Sequence, residues 1–495
     1  MEARNIFRNI SPIDHRYSIS EAAVFESLLP WISEEASVAA CVKAEVALII
    51  AHLTVRGKLN PAVRAELEKA AAAVESAEVY AEEEKTRHNI RALVNVLKRK
   101  VPAELAPLVH LGATSVDILD TSLSYRMAGV TREVTLPLLK KLERLLCDFA
   151  EREAETPQVG RTHGQHAVPI TLGFAIAEYV SRLGKSILEI EKRSTELKGK
   201  LAGAVGAYNA TSMIVKDPEE LERIYLAELG LEPSEHSTQL VEPEYLLRLL
   251  LECNVAFGII ANLADDLRNL QRSEIGEVRE GFSADQVGSS TMPQKRNPWN
   301  SEHVKSLWKA FMPRVQTFFM DQISEHQRDL SNSASQRFIA DYVAGFCLAI
   351  SRMTGVIEGL GADRERLLAN LRGNACNADI ACNAGGGAGG VSAGISGGVL
   401  AEPAYILLAE TGVSDAHEVI RRITLKAEKE KLSFAAALAQ EPETLQKIGG
   451  KMAELGLIAS PAEVLSFFEK PECYCGLAAK KAKALVQKYK KITGE

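Results

Sequence analysis

The sequence lacks the hydrophobic signals that direct a chain into a membrane or out of the cell. It contains no run of 18 apolar residues, and Met1 to Ile10 include no apolar stretch of the kind found in signal peptides. We therefore expect neither a membrane span nor a signal peptide. The eight cysteines are dispersed and form no C-x-x-C pair, which predicts a reduced, cytoplasmic protein. Cys473 and Cys475 have one intervening residue and no partner pair, which disfavours a zinc site.

A broadly basic composition is also missing. Asp and Glu outnumber Lys and Arg by 65 to 58 among 495 residues, so the net charge is −7 and the pI is near 5.9. This balance argues against a nucleic-acid-binding surface covering the protein, but it permits a local basic pocket for an anionic ligand. Apolar residues make up 46% and charged residues 25% of the chain, which is ordinary for a globular protein, and the length suggests about three domains.

Strand-like alternation of apolar and polar residues is scarce, whereas helical periodicity is extensive. Apolar residues recur in steps of four and three along three long segments: Ile176, Val180, Leu183, Ile187, Ile190; Leu246, Leu250, Cys253, Phe257, Ile260, Ala264, Leu267; and Ile339, Val343, Phe346, Ile350, Met353, Ile357, Leu360. A fourth helix is predicted to carry Leu123, Met127, Val130, Val134, Leu138, Leu142, Leu145 and Phe149, with a kink at Pro137. Such heptad seams predict an all-α fold built on a bundle of long helices.

The character of the sequence changes beyond about Gly361, where the heptad seam stops. Asn374 to Gly398 is rich in Gly, Ala, Ser and Asn, which predicts a loop or glycine-lined segment before shorter helices. We expect an N-terminal helical domain over residues 1–110, a central long-helix domain over 111–365 and a C-terminal helical domain over 366–495. Residues 385–390 match a dinucleotide-binding pattern, but no strand precedes them, so segment 385–398 is assigned no role.

Four polar segments interrupt the long helices, around Thr114, His163, Ser289 and Arg328. The segment Gly288–Pro298 is the most polar of them, with hydroxyls, amides, two cations and two prolines, and it predicts a loop. A polar segment at a helix end offers backbone amides and the positive end of the helix dipole to an anion. Together the segments supply the side chains for acid–base chemistry on a multiply anionic substrate without a metal.

The sequence from Gly288 to Pro298, GSSTMPQKRNP, resembles the signature of the fumarase/aspartase superfamily. Further stretches resemble its adenylosuccinate lyase branch: residues 11–17, 86–88, 160–167, 203–206, 237–239 and 327–333. The resemblance implies an all-α subunit of three domains, a homotetramer with a twenty-helix core, active sites shared among three subunits and no cofactor. The implied reaction is a β-elimination that releases fumarate from adenylosuccinate and from the succinylated aminoimidazole carboxamide ribotide of purine biosynthesis.

The same resemblance implies roles for individual residues. Ser289 is expected to remove the carbon proton, and Lys295 and Asn297 to stabilise the negative charge that results. His163, polarised by Glu302, is expected to protonate the departing nitrogen. The phosphate and nearby groups are expected at Arg16, Tyr17, Arg328, Ser333 and Arg337, since guanidinium groups suit a dianion. Other expected substrate contacts are Arg87, His88, Thr114, Ser115, Thr162, Gln239, Ser290 and Met292.

Two alternatives to this reading stay open. One is another fumarate-releasing lyase of the argininosuccinate type, or a carboxymuconate cycloisomerase; Gln294 stands where argininosuccinate lyases often have Gln. The predicted arginines at 16, 328 and 337 favour a phosphorylated substrate over this alternative. The other is a catalytically silent structural homotetramer. The presence of all five predicted residues of the reaction centre disfavours it.

Overall fold

A computed structural model describes residues 6–282, 288, 290–373 and 398–493. The secondary structure of these residues is almost entirely helical, so the all-α prediction is confirmed. The helices are α1 (Ser18–Ser20), α2 (Ala22–Ile32), α3 (Glu34–Val55), α4 (Pro61–Ala72), α5 (Ser76–Thr86), α6 (Asn89–Lys100), α7 (Ser115–Val130), α8 (Leu136–Arg152), α9 (Leu172–Thr195), α10 (Pro218–Ala227), α11 (Glu244–Leu270), α12 (Trp299–Phe311), α13 (Arg314–Met320), α14 (Ile339–Glu358), α15 (Arg364–Leu371), α16 (Ala401–Glu410), α17 (Ala416–Glu430), α18 (Phe434–Ala439), α19 (Pro442–Glu454), α20 (Val464–Phe468) and α21 (Ala478–Lys490).

Three pairs of short strands and several short 3-10 and π turns accompany these helices. The antiparallel pair β1 (Pro157–Thr162) and β2 (Gln165–Thr171) is the longest. The parallel pair β3 (Lys198–Gly199) and β4 (Glu232–Pro233) and the antiparallel pair β5 (Val278–Arg279) and β6 (Gly361–Ala362) have two residues in each strand.

The three predicted heptad seams lie on α9, α11 and α14, which have 24, 27 and 20 residues. Every seam position is buried except Leu246, which is half-buried. A helix buries its seam because apolar residues spaced by three and four recur on one face of a 3.6-residue turn. The periodicity therefore predicted both the helices and the faces that they bury.

The fourth predicted seam is confirmed in part, on a helix that contains a π turn. Thr131–Thr135 adopts π geometry just before Pro137, where a regular helix lacks one amide donor. Beyond this turn, Leu142 and Phe149 are buried as predicted. The predicted Leu138 and Leu145 are half-buried, and the next residues, Leu139 and Leu146, are buried in their place, because the extra residue of the π turn rotates the helix that follows.

The chain divides into two compact units, each assembled from three segments. The first unit comprises Met1–Leu142, Lys185–Asn262 and His303–Thr354, and the second comprises Glu143–Gly184, Leu263–Glu302 and Gly355–Glu495. Neither the three consecutive domains inferred from sequence nor the tetramer is tested by this division, and both stay predictions. The glycine-rich segment 385–398 lies outside the described residues except for Gly398.

In the first unit, α3 packs against α2, α4, α5, α6, α7 and α10 and buries most of its residues. Asp117 and Lys200 form a fully buried ion pair beside it. Asp117 also accepts a hydrogen bond from the Thr114 amide at 2.7 Å, which completes a capping box at the start of α7. The first turn of α7, with Thr114 and Ser115, is thus fixed by buried charge.

In the second unit, β1 packs against α15 and β2 against α21. Helices α16–α20 enclose a separate apolar core that includes Ala404, Ile420, Phe434 and Phe468. This core explains why the C-terminal helices are shorter, since each buries one face against several neighbours and has no continuous seam.

Three helical stretches are long and apolar enough to cross a membrane by length and composition alone: Ala22–Val55, Glu244–Leu270 and Ser335–Glu358. Within them, 78%, 56% and 72% of the apolar windows are buried inside the protein. Burial in the helical core accounts for most of this apolar surface. The absence of a membrane span stays a prediction.

Candidate active site

The first unit encloses a cavity of about 700 Å³ that brings predicted site residues together. His88, Ser115, Arg328, Ser333 and Arg337 all line it, although they come from three distant stretches of sequence. Cavities of roughly 300–1,000 Å³ hold small-molecule ligands. The volume and the clustered cations therefore suit an anionic ligand of nucleotide size.

Local backbone geometry presents the residues at one wall of this cavity. Arg87 ends α5 in the left-handed conformation, at φ 53°, which is uncommon for a residue other than glycine. His88 then caps α6, and its Nδ1 accepts a hydrogen bond from the Arg91 amide at 3.3 Å. The reversal at Arg87 places His88 in the lining, whereas Arg87 is exposed and lies outside the lining residues.

Gln239 connects two other predicted substrate-binding residues, Thr114 and Arg328. Its Nε2 donates to Thr114 Oγ1 at 3.4 Å, and its Oε1 accepts from Arg328 Nη1 at 3.2 Å. Its backbone amide also donates to the Gln327 carbonyl at 3.1 Å. Gln239 and Thr114 therefore lie beside Arg328, which itself lines the cavity.

Arg16 and Tyr17 occupy a different place in the first unit. They end a short π turn, Ile13–Tyr17, and the Tyr17 hydroxyl lies 3.1 Å from His303 Nε2. Burial lowers the pKa of His303, and the positive charges of Arg352 and Arg16 lower it further. Neither Arg16 nor Tyr17 lines the cavity, so within one chain the predicted phosphate set is divided between two places.

Sequence reasoning missed His303, Asp120 and Arg126. Asp120 and Arg126 line the cavity from α7. Protein surrounds Asp120, and burial raises the pKa of its carboxyl group to about 6, although part of the residue still faces the cavity. Ser115 and Arg126 are separated by eleven residues, which is three helical turns. From this spacing, the sequence could have predicted that Arg126 and Ser115 lie on the same face of the helix.

The second unit carries His163 on a β-hairpin, whereas the sequence indicated only a polar segment around this residue and no strands. Thr162 pairs with Gln165, so His163 and Gly164 form a two-residue turn. Their φ angles of 55° and 74° are those of a type I′ turn, which matches the twist of paired strands. The prediction failed because this hairpin is too short and polar to show a strand pattern. Thr162 and His163 are exposed at the tip.

A buried carboxylate fixes the base of this hairpin. Glu277 is fully buried and accepts hydrogen bonds from Gln158 Nε2 at 2.8 Å, Arg161 Nη1 at 3.0 Å and Asn370 Nδ2 at 2.8 Å. Arg161 stands two residues before His163. Burial lowers the pKa of His166, which pairs with Arg161 across the hairpin, and the Arg161 charge lowers it further. Glu277 therefore anchors the element that presents His163.

The signature segment is a loop at its described residues, 288 and 290–298, as predicted. Asn297 Nδ2 donates to the Gly288 carbonyl at 3.0 Å and so closes the loop. Lys295, Ser290 and Met292 are exposed, and Ser289, the predicted base, lies outside the described residues. Glu302 is exposed in the first turn of α12. Among the described residues, no hydrogen bond or ion pair joins Glu302 to His163, and the roles of both stay predictions.

Comparison with known proteins identifies the family. A family model described as Lyase matches residues 20–310. The adenylosuccinate lyase of Pyrococcus horikoshii is 31% identical to this chain over 485 residues, which cover 97% of each protein. That of Methanocaldococcus jannaschii is 30% identical and covers 95% of this chain and 94% of its own length. The chain belongs to this lyase family, within the fumarase/aspartase superfamily.

A solved structure confirms the fold of this lyase. The crystal structure of 3-carboxy-cis,cis-muconate lactonizing enzyme from Pseudomonas putida matches it with a TM-score of 0.75, covering 96% of this chain and 98% of the other. The two sequences are 24% identical, so the likeness concerns the fold alone. The predicted enzyme class is confirmed by the family, and the predicted all-α fold by the helices and this match.

The lyase family leaves open which groups act in this chain, and no described cluster of three or more His, Cys, Asp or Glu residues is arranged to hold a metal ion. Within one chain, several of the predicted binding residues line the cavity in the first unit. In the second unit, the predicted acid His163 and the predicted charge-stabilising Lys295 are exposed, and Asn297 is half-buried.

Proposed function

We propose that this lyase cleaves the carbon–nitrogen bond of adenylosuccinate by β-elimination, which releases AMP and fumarate. The cavity lined by His88, Ser115, Arg328, Ser333 and Arg337 carries the proposal, because it offers several cations and enough volume for a nucleotide. Relatives that match this chain from end to end are named adenylosuccinate lyases. We extend the proposal to the succinylated aminoimidazole carboxamide ribotide, which carries the same succinyl group and phosphate.

In the proposed reaction, Ser289 removes a proton from the carbon next to a carboxylate of the succinyl group. Negative charge develops on that carboxylate, and Lys295 and Asn297 stabilise it with a cation and an amide donor. His163 donates a proton to the departing nitrogen, with Glu302 polarising the imidazole. The carbon–nitrogen bond breaks as the double bond of fumarate forms, so one proton leaves carbon and one reaches nitrogen.

We further propose that the enzyme is a cytoplasmic homotetramer with a twenty-helix core and active sites shared among subunits. The exposed positions of His163 and Lys295 support this arrangement, since a general acid and a charge-stabilising cation work best where water is excluded. A neighbouring subunit would cover His163 and Lys295 and so exclude water from them. Arg16 and Tyr17, which lie apart from the cavity, would reach the phosphate of a substrate held by another subunit.

Absorbance assays with four substrates test this proposal. Purified protein would be given adenylosuccinate, argininosuccinate, malate and carboxymuconate at equal concentrations. We expect turnover of adenylosuccinate alone, because the arginines of the cavity match a phosphate. Turnover of a non-phosphorylated acid alone would overturn the assignment. An absence of turnover with all four substrates would favour a silent structural role.

A further inference from the structure

Arg126 lies on the helix face that lines the cavity but belongs to no predicted site. Ser115, Leu119, Ser122 and Arg126 follow one another in steps of four, three and four along α7, and all four line the cavity. At a rise of 1.5 Å per residue, Arg126 lies about 16 Å from Ser115 along the helix axis. Arg126 thus occupies the opposite end of this wall from Ser115.

The guanidinium group of Arg126 has no counter-charge in contact with it. Its Nε is buried without a hydrogen-bond partner, and no ion pair within 4.0 Å reaches the side chain from any described residue. Burial lowers the pKa of Arg126. The acid whose charge acts on it is Glu34, which already accepts a hydrogen bond from the Tyr80 hydroxyl at 2.6 Å. A buried cation left unpaired destabilises a folded chain, so such a residue is more easily explained by a ligand than by stability.

The neighbours of Arg126 indicate which part of a substrate reaches it. Arg337, Tyr80 and Glu34 line the same cavity, and the Tyr80 hydroxyl donates to Glu34 at 2.6 Å. Burial raises the pKa of Tyr80 and the positive charge of Arg337 opposes that rise, which is consistent with an Arg337 near this pair. Glu34, Ser37, Val38 and Cys41, from the first two turns of α3, line this end as well. The positive end of the dipole of that 22-residue helix favours an anion there. The negative charges of Glu34 and Glu83, which also line the cavity, repel an anion. A second guanidinium group would offset this repulsion.

We propose that Arg126 binds the phosphate of the substrate together with Arg337, at the end of the cavity opposite Ser115. Two guanidinium groups match the oxygens of a phosphate dianion better than one, because each donates paired hydrogen bonds in a fixed plane. This inference rests on the proposed function for the identity of the substrate. Its core, a phosphate site at Arg126, is independent of which phosphorylated compound is cleaved.

The test compares Arg126→Gln and Arg126→Met with wild type as full-length proteins. Arg132→Gln is the matched control, since Arg132 follows Arg126 by six residues and is exposed. Thermal unfolding of each protein is measured without ligand and with inorganic phosphate, AMP or adenosine. The values of kcat and KM are measured with adenylosuccinate. We expect both Arg126 variants to bind phosphate and AMP about 10- to 100-fold more weakly. Adenosine binding should change less than twofold, KM should rise with kcat little changed, and the unliganded variants should melt at or above the wild-type temperature.

Each other outcome has a stated meaning. Unchanged affinity for phosphate and AMP overturns the inference, as does an equal loss for AMP and adenosine, which would show that Arg126 only shapes the cavity. Melting of both unliganded variants well below wild type and the control overturns it too, because Arg126 would then be compensated in the fold. The wild-type protein could also fail to cleave adenylosuccinate while the Arg126 substitutions still weaken phosphate binding. In that case the proposed function fails and the phosphate site stands.

Discussion

The cavity in the first unit and the hairpin in the second differ in where their polar residues lie and in how these residues are paired. The cavity gathers His88, Ser115, Arg328, Ser333 and Arg337 from distant segments around one volume. The hairpin holds one residue, His163, at an exposed tip, and its buried charges lie at the base, where Glu277 has several donors. The cavity leaves the buried Nε of Arg126 without a hydrogen-bond partner, whereas the hairpin pairs its buried charges.

This difference separates two requirements of an enzyme that acts on anions. A binding cavity needs cations that no protein group satisfies, and it is therefore less stable than it would be if fully paired. A reactive side chain at a turn needs a rigid support, which fully satisfied buried charges provide. Changes in the cavity should thus act on KM, and changes at the hairpin tip on kcat.

The largest effect is expected at the hairpin tip and its proposed chemical partner. His163→Ala and Ser289→Ala should each lower kcat by about 10³- to 10⁴-fold, because each removes a proton-transfer group. KM and the melting temperature should stay close to wild type. Steady-state kinetics and thermal unfolding measure both. His417→Ala, at an exposed position of α17, is the control. Near-wild-type turnover in either test variant would refute its assigned role.

The next effect concerns the base of the hairpin. Arg161→Met leaves the fully buried Glu277 without its cation, which should destabilise the protein by about 3 to 5 kcal/mol. Arg272→Met is the matched control: Arg272 pairs with Glu274 at 2.5 Å, and the two side chains are 59% and 50% exposed, so loss of this surface ion pair costs about 1 kcal/mol or less. Urea unfolding compares the two. Equal losses would show that Glu277 is no special anchor.

A smaller effect is expected for the predicted phosphate contact in the cavity. Arg337→Ala should raise KM for adenylosuccinate by about 10- to 100-fold, through loss of charge-assisted hydrogen bonds. The value of kcat should change only a few-fold. Arg279→Ala removes an exposed arginine that pairs with Asp363 and is the control. An unchanged KM would exclude Arg337 from phosphate binding.

The smallest effect is a pH dependence that originates in the cavity wall. Burial raises the pKa of Asp120 from 3.8 to about 6. Its stabilising contribution is therefore complete below pH 3.8 and is lost as pH rises through about 6. Relative to Asp120→Asn, wild type should lose roughly 1 to 3 kcal/mol across this interval.

Thermal unfolding from pH 4 to 8 measures this difference. Asp329→Asn is a control in which the pH dependence of stability should have the opposite sign, because hydrogen bonds from Ser331 lower the pKa of Asp329. Its contribution is present above the unfolded pKa and is lost as pH falls. Parallel wild-type and Asp120→Asn profiles would show that Asp120 is not held neutral by burial.

Much of the helical architecture was predictable because periodicity of three and four is a local property of a sequence. The seams of α9, α11 and α14 were predicted almost residue by residue. The seam of α8 was predicted in part: Leu142 and Phe149 are buried, but Leu138 and Leu145 are half-buried, since the π turn before Pro137 adds a residue that the sequence period does not reveal. The hairpin at His163 was missed because a two-residue turn between short polar strands carries little strand signal.

The sequence motifs suggested candidate site residues, but they did not indicate residues that are distinguished only by their surroundings in the fold. Asp120 and Arg126 resemble any charged residues on a helix until α3 and the segment from Arg328 to Arg337 close around them. His303 becomes a candidate site residue only because the Tyr17 hydroxyl lies 3.1 Å from its Nε2 in the folded chain. Burial and the lack of a partner are properties of the folded chain.

The sequence alone determined the helical class, the buried faces and the residue types available for chemistry, because these depend on neighbours within a few turns. Only the tertiary structure decided which of those residues share a cavity, which are exposed and which buried charges are satisfied. The reason is that the free energy of a charge depends on the medium and partners around it. For Glu277 and Arg126, those surroundings are assembled from segments far apart in the chain.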